Sequence, residues 1–197
     1  MKAPAMLKRL PLIPTLLVLA AVAVMLRLGF WQLDRMGQKA ADLDRFKAAQ
    51  TMTAEAPWPR DTSSGQEVLF RRSTIECQSA GPDQPLAGHS AGGQTGWAHA
   101  FDCVLADGHR AQVVIGWSRD LALRQWSGGT VSGWIAPGAE DSVRLIADPP
   151  LAGLAANAKP DPASVPNNHL SYAVQWFLFA LTALVIYGIA LRKRLAA

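Results

Sequence analysis

The chain predicts an α+β membrane protein, with two transmembrane helices flanking a small, mostly antiparallel β-barrel or sheet domain that carries a membrane-proximal helix. Three observations predict it. From His169 to Leu191 there are 23 residues without a charge, enough to cross a hydrocarbon core of about 30 Å at about 1.5 Å per residue. Pro11 to Phe30 is apolar apart from Thr15 and Arg27. Between the two runs, short segments alternate apolar and polar residues with the period of a strand.

Residues 1–10 carry Lys2, Lys8 and Arg9 and read as a cytoplasmic N-terminus, with the first span over 11–30. A signal peptide would share the basic start and the apolar stretch. Its small-residue cleavage site would follow the stretch, whereas Ala21-Val22-Ala23 lies inside it, and Arg27 to Lys39 continues as polar helix. An uncleaved span is therefore expected. Seven of the 19 Lys and Arg lie at the ends of the chain: Lys2, Lys8, Arg9, Arg192, Lys193 and Arg194 flank the two spans, and Arg27 lies within the first. The other 12, and all 15 Asp and Glu, fall within residues 31–168. Basic flanks stay in the cytoplasm, which puts both termini inside and residues 31–168 outside. The stretch before the first span is too short for an organelle transit sequence, so a bacterial inner membrane with a periplasmic domain is the expected placement. A pI near 9.4 then reports topology, and no aromatic-basic stripe supports nucleic-acid binding.

Leu33, Met36, Ala40, Leu43 and Phe46 recur at helical spacing, so the helix is expected to run on from Trp31 to about Gln50, with Pro57-Trp58-Pro59 closing that region. Phe101, Cys103 and Leu105 alternate with polar neighbours, Asp107-Gly108 supplies a tight turn, and Ala111 to Trp117 returns; His99 to Arg119 is the best hairpin. Val68 to Cys77, Thr130 to Ala136 and Ser142 to Ala147 are further strand candidates. Gly81 to Gly96 reads as a Gly/Pro/Ser-rich loop, and Pro149 to Pro166 as a Pro/Ala-rich linker. The second span covers 169–191, and 192–197 is a cytoplasmic C-terminus.

Most chemistry-bearing residues read as plain structure. Cys77 and Cys103 are the only cysteines and lack metal or redox spacing; in an oxidising compartment they pair if their strands are neighbours, which the sequence leaves open. His89, His99 and His109 read as solvated surface, and His99 with Cys103 has helix spacing inside a strand, which disfavours a metal there. No Ser-His-Asp grouping, phosphate loop or nucleophile elbow is readable, so enzyme chemistry is not expected.

His169 differs. Tyr172, Ala173, Trp176, Ala180, Ala183 and Tyr187 fall on its face of the second span, and small residues in mid-stripe allow close approach of a flat ring or another helix. Asn167 or Asn168 would cap that helix. Neutral imidazole ligates iron, but a histidine at this depth also hydrogen-bonds headgroups; both readings stand. Arg27, Trp31 and Arg35 share one face of the first helix, where arginines either pair with the carboxylates of an anionic cofactor or snorkel to the headgroups.

Gly29-Phe30-Trp31-Gln32-Leu33-Asp34-Arg35, with Lys39 after it, and Pro166-Asn167-Asn168-His169-Leu170-Ser171-Tyr172-Ala173-Val174-Gln175-Trp176-Phe177 resemble the signatures at the two spans of the surfeit locus protein 1 family of cytochrome c oxidase assembly factors. Phe70-Arg71-Arg72, Asp107-Gly108 and Gly116-Trp117 resemble weaker family positions in the same order. The resemblance implies two membrane helices around an outer domain, and a role in maturing the largest oxidase subunit. It also implies haem a as cofactor, with His169 in the place of the proposed iron ligand, and subunit I and haem a synthase as partners. Tyr172 and Trp176 would then contact the ring and Arg27 its carboxylates. The alternative is a scaffold that stabilises an oxidase assembly intermediate without haem, the stripe from His169 to Tyr187 packing on a partner helix. A sensor is disfavoured because no output module follows Arg194. The chain departs from the family at Ile115, where Arg usually precedes Gly-Trp, and at Ser118-Arg119, where Val-Pro is common.

Overall fold

A computed structural model describes residues 11–196. The basic residues Lys2, Lys8 and Arg9, the rest of the 1–10 segment, and Ala197 lie outside the described residues. Two compact units emerge, one made of the chain's two ends up to Asp42 and from Pro166, the other of Leu43–Val165. Helix α1 (Leu12–Gln50) runs through both, and α3 (His169–Ala196) forms the other half of the first unit. Both helices are long and apolar enough to cross a membrane. Their large side chains bear this out physically. Leu12, Ile13, Leu16 and Leu17 on α1, and Leu178, Phe179, Leu181 and Ile186 on α3, are more than half exposed, an apolar surface that suits lipid.

The second unit is a six-stranded sheet, β1 (Arg72–Ala80), β2 (Gln84–His89), β3 (Thr95–Leu105), β4 (Arg110–Ser118), β5 (Gly129–Pro137) and β6 (Val143–Ala147). The order is β1-β5-β6-β4-β3-β2, and β1 also pairs with β3. Five strands thus close on themselves as a small barrel, with β2 extending β3 outside the closure. All pairings are antiparallel except β4–β6, which runs parallel from Gln112/Arg144 to Val114/Ile146. The alternating inward residues Ile75, Phe101, Val113, Ile115, Val131, Ile135 and Leu145 fill the core. The last turns of α1 join it through Phe46 and Ala49, with the Phe46 ring 5.0 Å from that of Phe70. Burying a side chain of that size contributes about 2–3 kcal/mol.

The hairpin of β3 and β4 turns at Asp107-Gly108, as the alternation predicts, with Gly108 at φ 81°. Cys77 and Cys103 form a disulfide. It sits at the β1–β3 seam, where only three residue pairs and a register shift close the barrel.

Four readings of the sequence are corrected. The strand expected from Val68 starts at Arg72, because Phe70 adopts φ 65° and turns the chain so that its ring enters the core. Just before it, the unexpected helix α2 (Thr62–Glu67) is set by a capping box in which Asp61 Oδ1 accepts from Ser64 N at 2.8 Å. The stretch Gly81–Gly96 is not all loop, since β2 pairs with β3 from Gln84/Ala100 to His89/Thr95. One of its glycines serves strand approach: a Cβ on Gly96 would stand 2.5 Å from Ser118 O. The Pro149–Pro166 stretch is no free linker. Leu151 N donates to Ile115 O at 2.8 Å, Trp117 N and Ala155 O pair at 2.8 Å, and Ala158 N reaches His89 O at 2.8 Å. Prolines hide such pairing in a sequence because they donate nothing, while the residues between them still can. Helix α1 ends at Gln50, seven residues before Pro57, with Gln50 Nε2 bound to Pro160 O at 2.6 Å.

Candidate functional site

In the first unit the contacts between α1 and α3 run in opposite chain directions. Thr15 meets Tyr187 through their hydroxyls, Gly29 and Phe30 meet Phe177, Gln32 meets His169, and Met36 meets Asn167. Helix α3 therefore packs antiparallel on α1. Gly29 makes this possible, because a Cβ there would lie 2.5 Å from the Phe177 ring. Ala173 and Ala180 are fully or nearly fully buried. They lie on the α3 face between His169 and Phe177, so the small-residue stripe is taken up by the chain's own first helix.

His169 is the first residue of α3 and half-buried. Its Nδ1 lies 2.7 Å from Gln32 Oε1. An amide oxygen only accepts, so Nδ1 is the donor in this contact, and in the neutral form of the ring the lone pair would lie on Nε2. Asn168 O accepts from Tyr172 N at 3.4 Å at the start of the helix, while the Asn167 side chain donates instead to Met36 O. Tyr172 is exposed; Trp176 is half-buried and meets Phe179 edge to face at 6.1 Å. Arg27 lines a groove of about 600 Å³ with Leu28, Phe30, Trp31 and Asp34. Arg35, on the same face, bonds Gln38 and is not among the lining. The structure thus gathers Arg27 with Trp31, and His169 with Gln32, but does not put all four expected site residues around one cavity.

The second unit holds a cluster that corrects two expectations. His99 is not solvated surface; it is completely buried. Nor is a Ser-His-Asp grouping missing: His99 Nδ1 lies 2.6 Å from Asp83 Oδ2, and Nε2 lies 2.8 Å from Ser118 Oγ. Asp83 Oδ2 also accepts from Arg124 N at 2.7 Å. Hydrogen bonding argues against nucleophilic use. Ser118 Oγ donates its only proton to Asp120 O at 2.6 Å, so that proton is not directed at Nε2, as activation requires. With no exposed surface, the imidazole also offers a substrate no approach. The cluster instead ties the 119–128 segment to β3 and β2. His89 and His109 are exposed as expected. Among the described residues no group of three His, Cys, Asp or Glu could hold a metal ion.

The model of the SURF1 family matches residues 19–181. The chain belongs to the SURF1 family. No curated protein matches it. The family is associated with cytochrome c oxidase assembly and is a family of assembly factors, not known as one of enzymes. With its two apolar helices, this SURF1 chain is a membrane protein.

Two site features of this SURF1 chain escape sequence reasoning. Gln32 stands inside the first signature, but no spacing relates position 32 to position 169; only helix pairing does. Asp83, His99 and Ser118 come together through the registers Pro85/His99 and Trp97/Ser118, and strand register between distant segments is not readable from one sequence.

Proposed function

We propose that this chain is an oxidase assembly factor that binds haem a beside the first turn of α3 and assists its delivery to the largest oxidase subunit. His169 would hold the iron through Nε2, Tyr172 and Trp176 would contact the ring, and Arg27 would pair with a propionate. One observation carries the reading: the bond from His169 Nδ1 to Gln32 leaves an imidazole lone pair on Nε2, the arrangement a ligating histidine needs. The donor set fits the group to that extent, a single imidazole with aromatic neighbours and an exposed guanidinium. The buried Ala173 and Ala180 leave no room for a ring in mid-stripe, so the exposed flank with Tyr172 and Trp176 is the side available.

Haem a supplies redox-active iron to the oxidase when delivered. The protein's own share is to hold and release it. One imidazole binds more weakly than a bis-histidine site, which suits transfer. Residues 31–168 are the periplasmic domain of a bacterial inner-membrane protein, with 11–30 and 169–191 as spans and both termini cytoplasmic. The basic run Arg192-Lys193-Arg194 supports this orientation, as does the Cys77–Cys103 disulfide, which persists in an oxidising compartment. Subunit I and haem a synthase are the partners the outer domain would dock on. In the alternative, a scaffold that never binds haem, the His169–Tyr187 stripe would pack on a partner helix; α1 already covers the centre of that stripe, which favours the carrier.

Purification from cells making haem a, with absorption spectra of the parent and of His169→Ala, tests the reading. A haem-free parent overturns it. Unchanged haem in the variant moves the ligand away from His169.

A further inference from the structure

We propose that Gln32 is the positioning residue of His169, holding the imidazole as the Nδ1–H tautomer so that Nε2 is presented as the ligand. This rests on the carrier reading above for its purpose, but not for its chemistry. Free neutral imidazole side chains favour the proton on Nε2, the tautomer that cannot ligate through that atom. The 2.7 Å contact with Gln32 Oε1 reverses the preference, because only Nδ1–H can donate to it. Both partners are held from moving apart. Gln32 lies one turn beyond Gly29, where α1 and Phe177 are in contact, and Asn167, two residues before His169, is tied to Met36 O, one turn beyond Gln32. The acceptor is therefore brought to the ring by the packing of two helices and not by a flexible loop.

The identity of the acceptor matters as much as its place. A carboxylate in this position would push charge onto the ring and make Nε2 a stronger donor. A neutral amide orients the ring without doing so. Gln32 thus aims the ligand without adding charge to it, as a site that must surrender its cargo requires.

The test begins on haem-free full-length protein in micelles, with ¹⁵N-labelled histidine at a pH where the ring is neutral, and His169→Ala to assign the signal. The parent is expected to show a protonated Nδ1 and an unprotonated Nε2. Gln32→Leu is expected to shift the population toward Nε2–H, and Gln32→Glu, which keeps an acceptor, to retain Nδ1–H. A parent with Nε2–H, or a Gln32→Leu variant that keeps Nδ1–H, overturns the proposal even if haem binds. A parent with Nδ1–H that takes up no haem leaves the positioning role standing and removes the carrier reading. In loaded protein, Gln32→Leu should weaken haem binding by about 10-fold or more, and Gln32→Glu should lower the midpoint potential. A potential unmoved by Gln32→Glu counts against the acceptor's role.

Discussion

Removing the Cys77–Cys103 bond should destabilise the outer domain by an amount the chain length sets. The bridge spans a sequence separation of 26. Closing a loop of that size in the unfolded chain is worth about 3.5 kcal/mol at 25 °C. At roughly 4 °C per kcal/mol for a unit of this size, Cys77→Ala with Cys103→Ala should lower the melting temperature by roughly 14 °C. Lost packing adds to this, since Cys77 is 2 % and Cys103 0 % exposed. Full-length protein in detergent, followed by tryptophan fluorescence in urea and by thermal melting, reads both quantities. Each single variant should fall nearly as far as the double, because the two sulfurs act as one cross-link. A double variant within about 3 °C of the parent, or two free thiols in protein isolated without reductant, refutes the argument.

Three further outcomes are expected. His99→Ala leaves the Asp83 carboxylate buried with only its backbone partner, and should cost about 3–5 kcal/mol in a urea midpoint measurement, while a serine-directed fluorophosphonate leaves Ser118 unlabelled in the parent. Gly29→Leu forces the Phe177 ring aside and should cost about 1–3 kcal/mol, seen as reduced disulfide trapping between Thr15→Cys and Tyr187→Cys. The indole N–H of Trp134, aided by the Arg72 guanidinium, holds the Asp148 carboxyl below the usual carboxylate range. A folded value below the unfolded one adds stability above about pH 4, lost as pH falls through the folded value. Asp148→Asn should therefore lose under about 1 kcal/mol at pH 7, because the side chain is solvent-screened, and converge on the parent near pH 3 in denaturation curves.

The parts of the fold that declared themselves were those with a local signal. Uncharged runs marked α3 and the first half of α1, and the alternation of Phe101, Cys103 and Leu105 before Asp107-Gly108 marked the β3–β4 hairpin. Helix α2 was hidden because Thr-Ser-Ser-Gly has poor helix propensity, and its capping box, not its interior, holds it. Strand β2 was hidden by Pro85 and Gly88, tolerable because β2 lies outside the barrel closure, with one edge bound to β3. The site divided in the same way. His169, Tyr172 and Trp176 are neighbours in sequence and could be grouped by periodicity. Gln32 and the Asp83–His99–Ser118 cluster depend on pairings across long stretches of chain.

Strand β1 is the first of the sheet to be synthesised, yet its longest partner, β5, begins about fifty residues later. Until β5 emerges, one margin of β1 has no hydrogen-bonding neighbour, and the other has only the short contact with β3. Such a margin invites other chains while it waits, and late pairings of this kind slow the completion of a sheet. Oxidation of Cys77 with Cys103 needs nothing made after β3. Nascent chains can therefore secure β1 covalently before β5 arrives, and a shortage of oxidant during export should show first as aggregation of chains that have not yet closed.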